Sequence, residues 1–471
     1  MKPVLLWSDG LILLLLAVVA VMVWLARHNE TFRGPLRQVW ANPMGASTAL
    51  ILAIYAGIGL LDSLHYVERL PEVPGKEAQY SGEVRSALDA LLTPLREKVE
   101  KTYSAPFATH LYAKETMTGP EGREVRDFPR LKFGGAHLAD PERDFWPDML
   151  KRSGLGMLGG IVVWLVFFPL WKRGTEGDSK PVVPATVAKS PLIPLLQRGG
   201  SRRAMALTLL FVCLSAGLLI ALAPHYHVLG TDKVGQDVLY LALKSIRTGL
   251  LIGTLTTLVM LPFALGLGIA AGYFGGRIDD LIQYLYTTLN SIPGVLLIAA
   301  SILVVQVQIE AHPELFDTAA ARSDVRLLAL CAILGVTGWT GLARLLRAEA
   351  LKLRELEFVQ AARAFGVTQG RILLRHLLPN VMHLVLITVV IDFSGLVLAE
   401  AVLSYVGVGV DPAMISFGNM INGARLELAR EPVVWWQLAA AFLFMFVLVL
   451  AANLFADQVR DALDPKSKGH R

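Results

Sequence analysis

Nine apolar stretches punctuate this chain, near residues 4–26, 45–62, 155–171, 204–223, 249–272, 282–307, 327–345, 383–405 and 434–456. A bilayer's hydrocarbon core takes about 20 helical residues to cross, and each stretch reaches or approaches that length. Nothing else in the sequence restricts the fold so strongly. With 54% hydrophobic residues over 471 positions, the chain is too apolar for an ordinary soluble protein. The expected class is an all-α polytopic membrane protein.

Charge orients the spans. The formal net charge of +5 would by itself suit a nucleic-acid partner, but the basic residues gather in short loops beside spans. Arg27, Arg33 and Arg37 form one cluster; Lys172, Arg173, Arg198, Arg202 and Arg203 form another. A third runs from Arg344 to Arg375, and the tail carries Arg460, Lys466, Lys468 and Arg471. Retention of basic loops in the cytoplasm accounts for all four, and no nucleic acid is expected. With nine spans the clusters share one side only if the amino terminus faces outward and the carboxy terminus inward. The opening run has little basic n-region, carries Ser8-Asp9-Gly10, and ends in Trp24-Leu25-Ala26-Arg27 without a small-x-small site, so it reads as a retained span. Cys213 and Cys331 both fall in apolar runs, which supports neither a disulfide framework nor a cysteine zinc site.

Residues 174–203, rich in Gly, Pro, Ser and Lys, read as a cytoplasmic linker. Ahead of it lie two membrane helices (1–62), a hydrophilic insert (63–153) and a third helix (154–173). Behind it lies a core of six spans (204–466). The insert has charges of mixed sign. Val84, Leu88, Leu91 and Leu92 make a helical stripe that Ser81 is placed to cap, and Thr93-Pro94 opens a second short helix carrying Leu95 and Val99. Aromatic residues continue to Phe145 and Trp146. A small folded extracytoplasmic domain is expected rather than a disordered loop.

Between two spans, residues 358–380 read FVQAARAFGVTQGRILLRHLLPN, a charged amphipathic helix–turn–helix. Phe358, Ala361, Ala362 and Phe365 recur at helical spacing as a small-and-aromatic stripe. Gly366 permits the left-handed turn that ends a helix. Thr368 is placed to cap the next helix, which Pro379 is expected to close. Arg371 and Arg375 stand one turn apart.

The run Gln360-Ala361-Ala362, three residues, Gly366, nine residues, then His376-Leu377-Leu378-Pro379 resembles the coupling loop of bacterial ABC importer permeases. In that family an acid stands where Gln360 is and an aliphatic residue where His376 is. The Arg-His-x-Leu-Pro-Asn form is similar to the dipeptide and oligopeptide branch. Further matches lie in order along residues 200–466. They are Leu229-Gly230-Thr231-Asp232 with Gly235-Gln236-Asp237-Val238, Gly272-Tyr273-Phe274-Gly275-Gly276 with Asp279, Glu400-Ala401-x-Leu403-Ser404-Tyr405-Val406-Gly407-x-Gly409, and Arg460-Asp461-Ala462-Leu463-Asp464-Pro465. The resemblance implies a six-span type I importer permease core, here preceded by three extra spans and the extracytoplasmic domain.

What the resemblance implies for function follows. Phe358, Ala361, Ala362, Phe365 and Gly366 would shape a knob that docks in a cytoplasmic ATPase. Arg363, Arg371 and Arg375 would pair either with acids on that ATPase or with lipid phosphates. No Gly-x-x-x-x-Gly-Lys-Ser/Thr run occurs, so ATP and Mg would sit on two partner ATPases and no cofactor on this chain. A second permease subunit and an extracytoplasmic solute-binding protein complete the expected partners. The place is the bacterial inner membrane, and the cargo peptides or peptide-like solutes, with nickel or another small solute as the alternative. A membrane sensor built on a permease body is the competitor from another class, and no catalytic constellation is found.

Polar groups inside spans are costly and mark functional suspects. Asp392 and Glu400 stand eight residues apart, with Ser404 one turn beyond, and Asn290 and Ser291 precede Pro293. They either line a translocation path or, for the two acids, are paired within the bundle. His225 and His227 flank Tyr226, but that spacing in an irregular segment makes a poor metal site.

Overall fold

The computed structural model describes residues 2–28, 38–69, 80–118, 124–176, 192–316 and 318–463. Arg33, Arg37, Lys466, Lys468, Arg471 and the linker between 177 and 191 fall outside them. In chain order the elements are β1 (Lys2–Val4), α1 (Trp7–His28), α2 (Pro43–Asp62), β2 (His65–Arg69), β3 (Tyr80–Ser86), α3 (Ala87–Leu91), α4 (Thr93–Arg96), β4 (Glu115–Thr118), β5 (Glu124–Asp127) and α5 (Pro141–Glu176). They continue with α6 (Leu192–Leu222), α7 (Val238–Phe274), α8 (Gly276–Ser291), α9 (Gly294–Ala311), α10 (Ala319–Gly338), α11 (Thr340–Leu353), α12 (Glu357–Ala364), α13 (Gln369–Ile372), α14 (Leu378–Tyr405), α15 (Phe417–Arg425) and α16 (Trp436–Leu463).

Among the described residues eight helices are long and apolar enough to cross a membrane: Pro43–Asp62, Pro141–Val166, Arg203–Leu222, Val238–Phe274, Gly294–Ala311, Ala319–Leu353, Gln369–Tyr405 and Trp436–Ala462. The first expected span is helical as α1, with a shorter described apolar stretch at Trp7–Ala17. The membrane part is helical throughout, as the apolar runs require.

Several boundaries differ from the sequence expectation. The stretch expected at 282–307 is two helices, because the residue before Pro293 is pushed out of helical geometry and Ile292 is extended (φ −93°, ψ 130°). The third span opens at Pro141 rather than 154: Asp140 accepts from the Glu142 N–H at 3.1 Å and the proline suits the first helical turn. Helix α6 starts at Leu192, inside the stretch read as linker.

The hydrophilic insert carries β-structure that its sequence did not suggest. Strands β1, β2 and β3 form one antiparallel sheet in that order, with Pro3 opposite Tyr66 and Val67 opposite Val84. Residues 2–4 thus belong to the same layer as the insert. Strand pairing takes residues 80–86, so Ser81 caps nothing helical. Ser86 does so instead, in a reciprocal capping box with Asp89 whose bonds are 3.1 and 2.9 Å. Thr93-Pro94 opens the next short helix as expected.

Helix α7 ties the molecule together. Its 37 residues make it roughly 55 Å long at 1.5 Å per residue. Its Val238 end lies in the hydrophilic insert's layer, and its Phe274 end reaches the 357–378 segment. At the first end Tyr103, Leu138, Tyr226, Val238 and Trp436 share one buried core. At the second, Tyr273, Trp339, Leu346, Val359, Ala362, Ile372 and Leu377 share another.

Candidate functional site

Helix α12 ends in a Schellman turn. The N–H of Gly366 donates to the Arg363 carbonyl at 3.0 Å, and that of Val367 reaches back to Ala362 at 3.1 Å. Gly366 itself is left-handed, with φ +74°. Thr368 precedes the next helix without a side-chain cap bond. That helix does not stop at Pro379. It passes from α13 through a π turn at Leu373–Leu377, where the Leu378 N–H reaches Leu373, straight into α14. The wide turn carries the chain past Pro379, which has no N–H to donate. The expected helix–turn–helix is therefore a short helix, a left-handed turn, and the start of a membrane helix.

The faces differ from the expected stripe as well. Val359, Ala362, Ile372 and Leu377 turn into the core. Phe358, Ala361 and Phe365 face outward, and Phe365 is 86% exposed at the turn. Of the four stripe residues only Ala362 packs inward.

What holds this segment is a contact sequence reasoning did not find. Tyr273, buried in the last turn of α7, receives the Arg363 Nε–H on its hydroxyl at 3.1 Å, and the guanidinium stacks over its ring at 4.6 Å. The same hydroxyl donates to Gln369 Oε1, so one side chain grips both halves of the loop. Around it, Arg347 makes a bidentate pair with Asp279 at 2.6 and 2.6 Å, and Arg354 donates to the Gly272 carbonyl at 3.3 Å. The Arg347 guanidinium holds the Asp279 carboxyl below the usual carboxylate range.

Of the other named residues, Gln360 donates to the Glu355 carbonyl at 3.1 Å, and the His376 ring lies 6.2 Å from that of Phe358. Arg371 and Arg375 are exposed and make no ion pair among the described residues. Arg363, by contrast, is already committed to Tyr273.

The intramembrane polar residues do not converge. Asn290 accepts from the Thr340 hydroxyl at 3.1 Å, and Ser291 donates to the Thr288 carbonyl at 2.7 Å. Asp392 is half-buried on α14. Glu400 is fully buried and accepts from Ser404 at 2.7 Å and from Ser416, the N-cap of α15, at 2.9 Å. His227 lies between two carboxylates that its sequence neighbourhood did not show, Asp237 at 2.7 Å and Glu100 at 3.4 Å. No group of three metal-ligating side chains occurs among the described residues.

Comparison with known proteins decides what such a helical frame belongs to. Residues 264–469 match the model of a family described as "Binding-protein-dependent transport system inner membrane component". The chain is 32% identical over 245 residues to the oligopeptide transport system permease protein OppC of Mycobacterium tuberculosis, covering 52% of this chain and 78% of that protein. The chain belongs to this permease family. The dipeptide transport system permease protein DppC of Bacillus subtilis is 30% identical over 240 residues, covering 51% of this chain and 69% of its own length. A solved structure titled as inward-facing conformations of the MetNI methionine ABC transporter is similar at 17% identity and a TM-score of 0.37, over 48% of this chain and 98% of that one. The permease thus carries its family match in its carboxy-terminal half, and the 357–378 segment lies within it.

Tyr273 and Arg363 stand 90 positions apart in the chain. The glycine-flanked turn around Tyr273 was visible in the sequence. Its role was not, because no local spacing connects the two.

Proposed function

We propose that this permease is one of two membrane subunits of an ATP-driven importer for peptides or peptide-like solutes. The observation that carries the coupling role is Phe365. Its side chain is 86% exposed and stands on a turn anchored from behind by Val359, Ala362 and the Arg363–Tyr273 contact. Such an anchored aromatic knob suits a cleft in an ATPase. Nucleotide-driven closure of two ATPases then moves the knob and rocks the helices attached to it.

On this reading ATP and Mg are bound by the partner ATPases, the 357–378 segment and carboxy terminus face the cytoplasm, and β1 with the 63–140 layer faces outside. A solute-binding protein delivers cargo on that outer side of the bacterial inner membrane. The peptide names of the relatives support peptides over the nickel alternative. Among the described residues no feature favours the sensor alternative.

Purification with the neighbouring subunits tests this. The expected complex holds two ATPases and a second permease and imports peptide in proteoliposomes, and Phe365→Glu releases the ATPases while the second permease stays bound. Recovery of a stable, active homodimer without ATPases would overturn the reading.

A further inference from the structure

At the end of the bundle opposite the coupling loop, the amino-terminal segment does more than cover the membrane core. Residues 100–112 run between two loops of the permease and bond to both. On one side Thr231, fully buried, is the node. Its hydroxyl donates to the Thr102 carbonyl at 2.9 Å and accepts from the Ser104 N–H at 2.7 Å, while its own N–H donates to the Ser104 carbonyl at 3.1 Å. Four residues on, the Glu100 N–H donates to the Gly235 carbonyl at 2.9 Å. The approach is close enough to need glycine. A Cβ on Gly235 would lie 1.9 Å from the Glu100 carbonyl oxygen, and one on Gly230 2.5 Å from that of Ser104. On the other side the Tyr112 hydroxyl donates to the Val433 carbonyl at 3.1 Å, and its ring meets Trp436 edge-on at 4.8 Å. Trp436 closes the circuit, its indole N–H donating to the Thr231 carbonyl at 2.9 Å.

Charge reinforces the same joint. The Glu100 carboxylate accepts from the N–H groups of Lys132, Phe133 and Gly134 at 2.9, 2.8 and 3.1 Å, and it faces His227. His227 bonds Asp237, the N-cap of α7. One turn and more along α7, Lys244 pairs with Asp89 at 2.8 Å and Arg247 with Asp9 at 2.7 Å. Asp9 also holds His65 at 2.7 Å. Two basic residues on a membrane-core helix thus find their counter-charges in the amino-terminal module.

We propose that this module is a built-in brace: it welds the loop before α7 to the loop before α16, so that the outer ends of those two helices form one rigid body throughout the transport cycle. A lid would need a hinge and a separable face. Here the contact with the loop before α7 is backbone-to-backbone and buried, and the Tyr112 and Trp436 side chains carry it on to the loop before α16. Alternation of access then takes place between this body and helices outside it, which include α9 and the partner subunit's surface. The brace rests on contacts within this chain, and only its consequence for transport rests on the importer reading.

The Ser104 and Thr231 hydroxyl oxygens stand 3.1 Å apart, which places a cysteine pair there within reach of a disulfide. In a background lacking Cys213 and Cys331, the double variant Ser104→Cys, Thr231→Cys is assembled with its partners and oxidised. The expected result is peptide import within about twofold of the same variant after reduction. Import abolished on oxidation and restored by reductant would show that the module lifts off, and would overturn the brace. Should the double variant fail to assemble, spin labels at the exposed positions Val234 and Leu428 give an independent reading. Their separation is expected to stay the same with and without bound nucleotide, and a resolved shift would equally overturn the proposal. If the reduced and wild-type complexes import no peptide, the importer reading fails, and the label separation in detergent still reports on the weld.

Discussion

The guanidinium of Arg363 lies 4.6 Å from the ring centroid of Tyr273, and its Nε–H donates to the tyrosine hydroxyl at 3.1 Å. Through this one buried ring the 357–378 segment is held to the Phe274 end of α7. Removing the hydroxyl leaves the ring and its cation–π attraction, worth about 0.5–2 kcal/mol, but releases the exposed Arg363 and Gln369 from the partner they share. Tyr273→Phe is therefore expected to keep the ATPases bound while fewer solute molecules cross per ATP hydrolysed. Tyr273→Ala should do more harm, and Arg363→Lys should fail to rescue because it loses the planar stack. Simultaneous measurement of import and hydrolysis in proteoliposomes checks this; an unchanged ratio in Tyr273→Phe would exclude the positioning role.

Gly366 has φ +74°, and a Cβ there would meet nothing within 4 Å. The constraint is thus conformational and not one of space. A β-branched residue pays roughly 1–2 kcal/mol or more to enter the left-handed region, whereas asparagine enters it more readily. Gly366→Val is expected to abolish import with membrane insertion intact, and Gly366→Asn to retain a substantial part. Normal substrate-stimulated ATP hydrolysis by Gly366→Val would speak against the coupling role.

His227 gives the brace a pH dependence. Burial alone would push its imidazole down, but hydrogen bonds to Asp237 and Glu100 overcome that and hold it up at about 9. Because this lies above the unfolded value of about 6.5, its stabilising contribution is complete below pH ~6.5 and is lost as pH rises through about 9. Glu100 works in the opposite direction. Burial raises it, but His227 and three backbone N–H groups bring it down to about 2, so its contribution is present above the ordinary carboxylate range and lost as pH falls toward 2. The unfolding temperature in detergent is expected to drop between pH 6.5 and 9.5, and to drop less in His227→Gln. Equal drops would remove His227 from the account.

Arg247 is buried against Asp9, so deleting the acid leaves an uncompensated charge, at a cost of roughly 3–5 kcal/mol. Asp9→Ala is expected to lower the yield of folded protein sharply. The double variant Asp9→Leu, Arg247→Leu should recover much of it, because it removes both charges. Size-exclusion profiles of the three proteins test this, and a double variant worse than the single would contradict it.

The two acids of α14 should separate. Glu400 is held by Ser404 and Ser416, so Glu400→Ala is expected to destabilise the segment leading into α15. Asp392 is half-buried and makes no ion pair among the described residues, so Asp392→Asn should leave stability alone and change import rate if it lines the path. Thermal stability and import rate, measured side by side, distinguish the two roles.

Some of this was determined by the sequence alone. An apolar run of ~20 residues calls for a membrane helix, because the requirement is met residue by residue along the chain. The left-handed glycine at 366 and the proline-opened helix at 93–94 are equally local, and so was the break at Pro293, though the apolar run hid it. Tertiary structure decided the rest. Ser81 looked like a cap until strand pairing with β2 claimed it, and Pro379 looked like a terminator until a π turn carried the helix past it. Phe365 looked like part of a packed stripe until the turn exposed it. Tyr273 with Arg363, Asp9 with Arg247, and Thr231 with Ser104 are joined across 90, 238 and 127 positions. No periodicity links residues so far apart. Only tertiary packing brings their polar atoms within hydrogen-bonding reach, and the burial of Asp9, Arg247, Ser104 and Thr231 then makes their pairing obligatory.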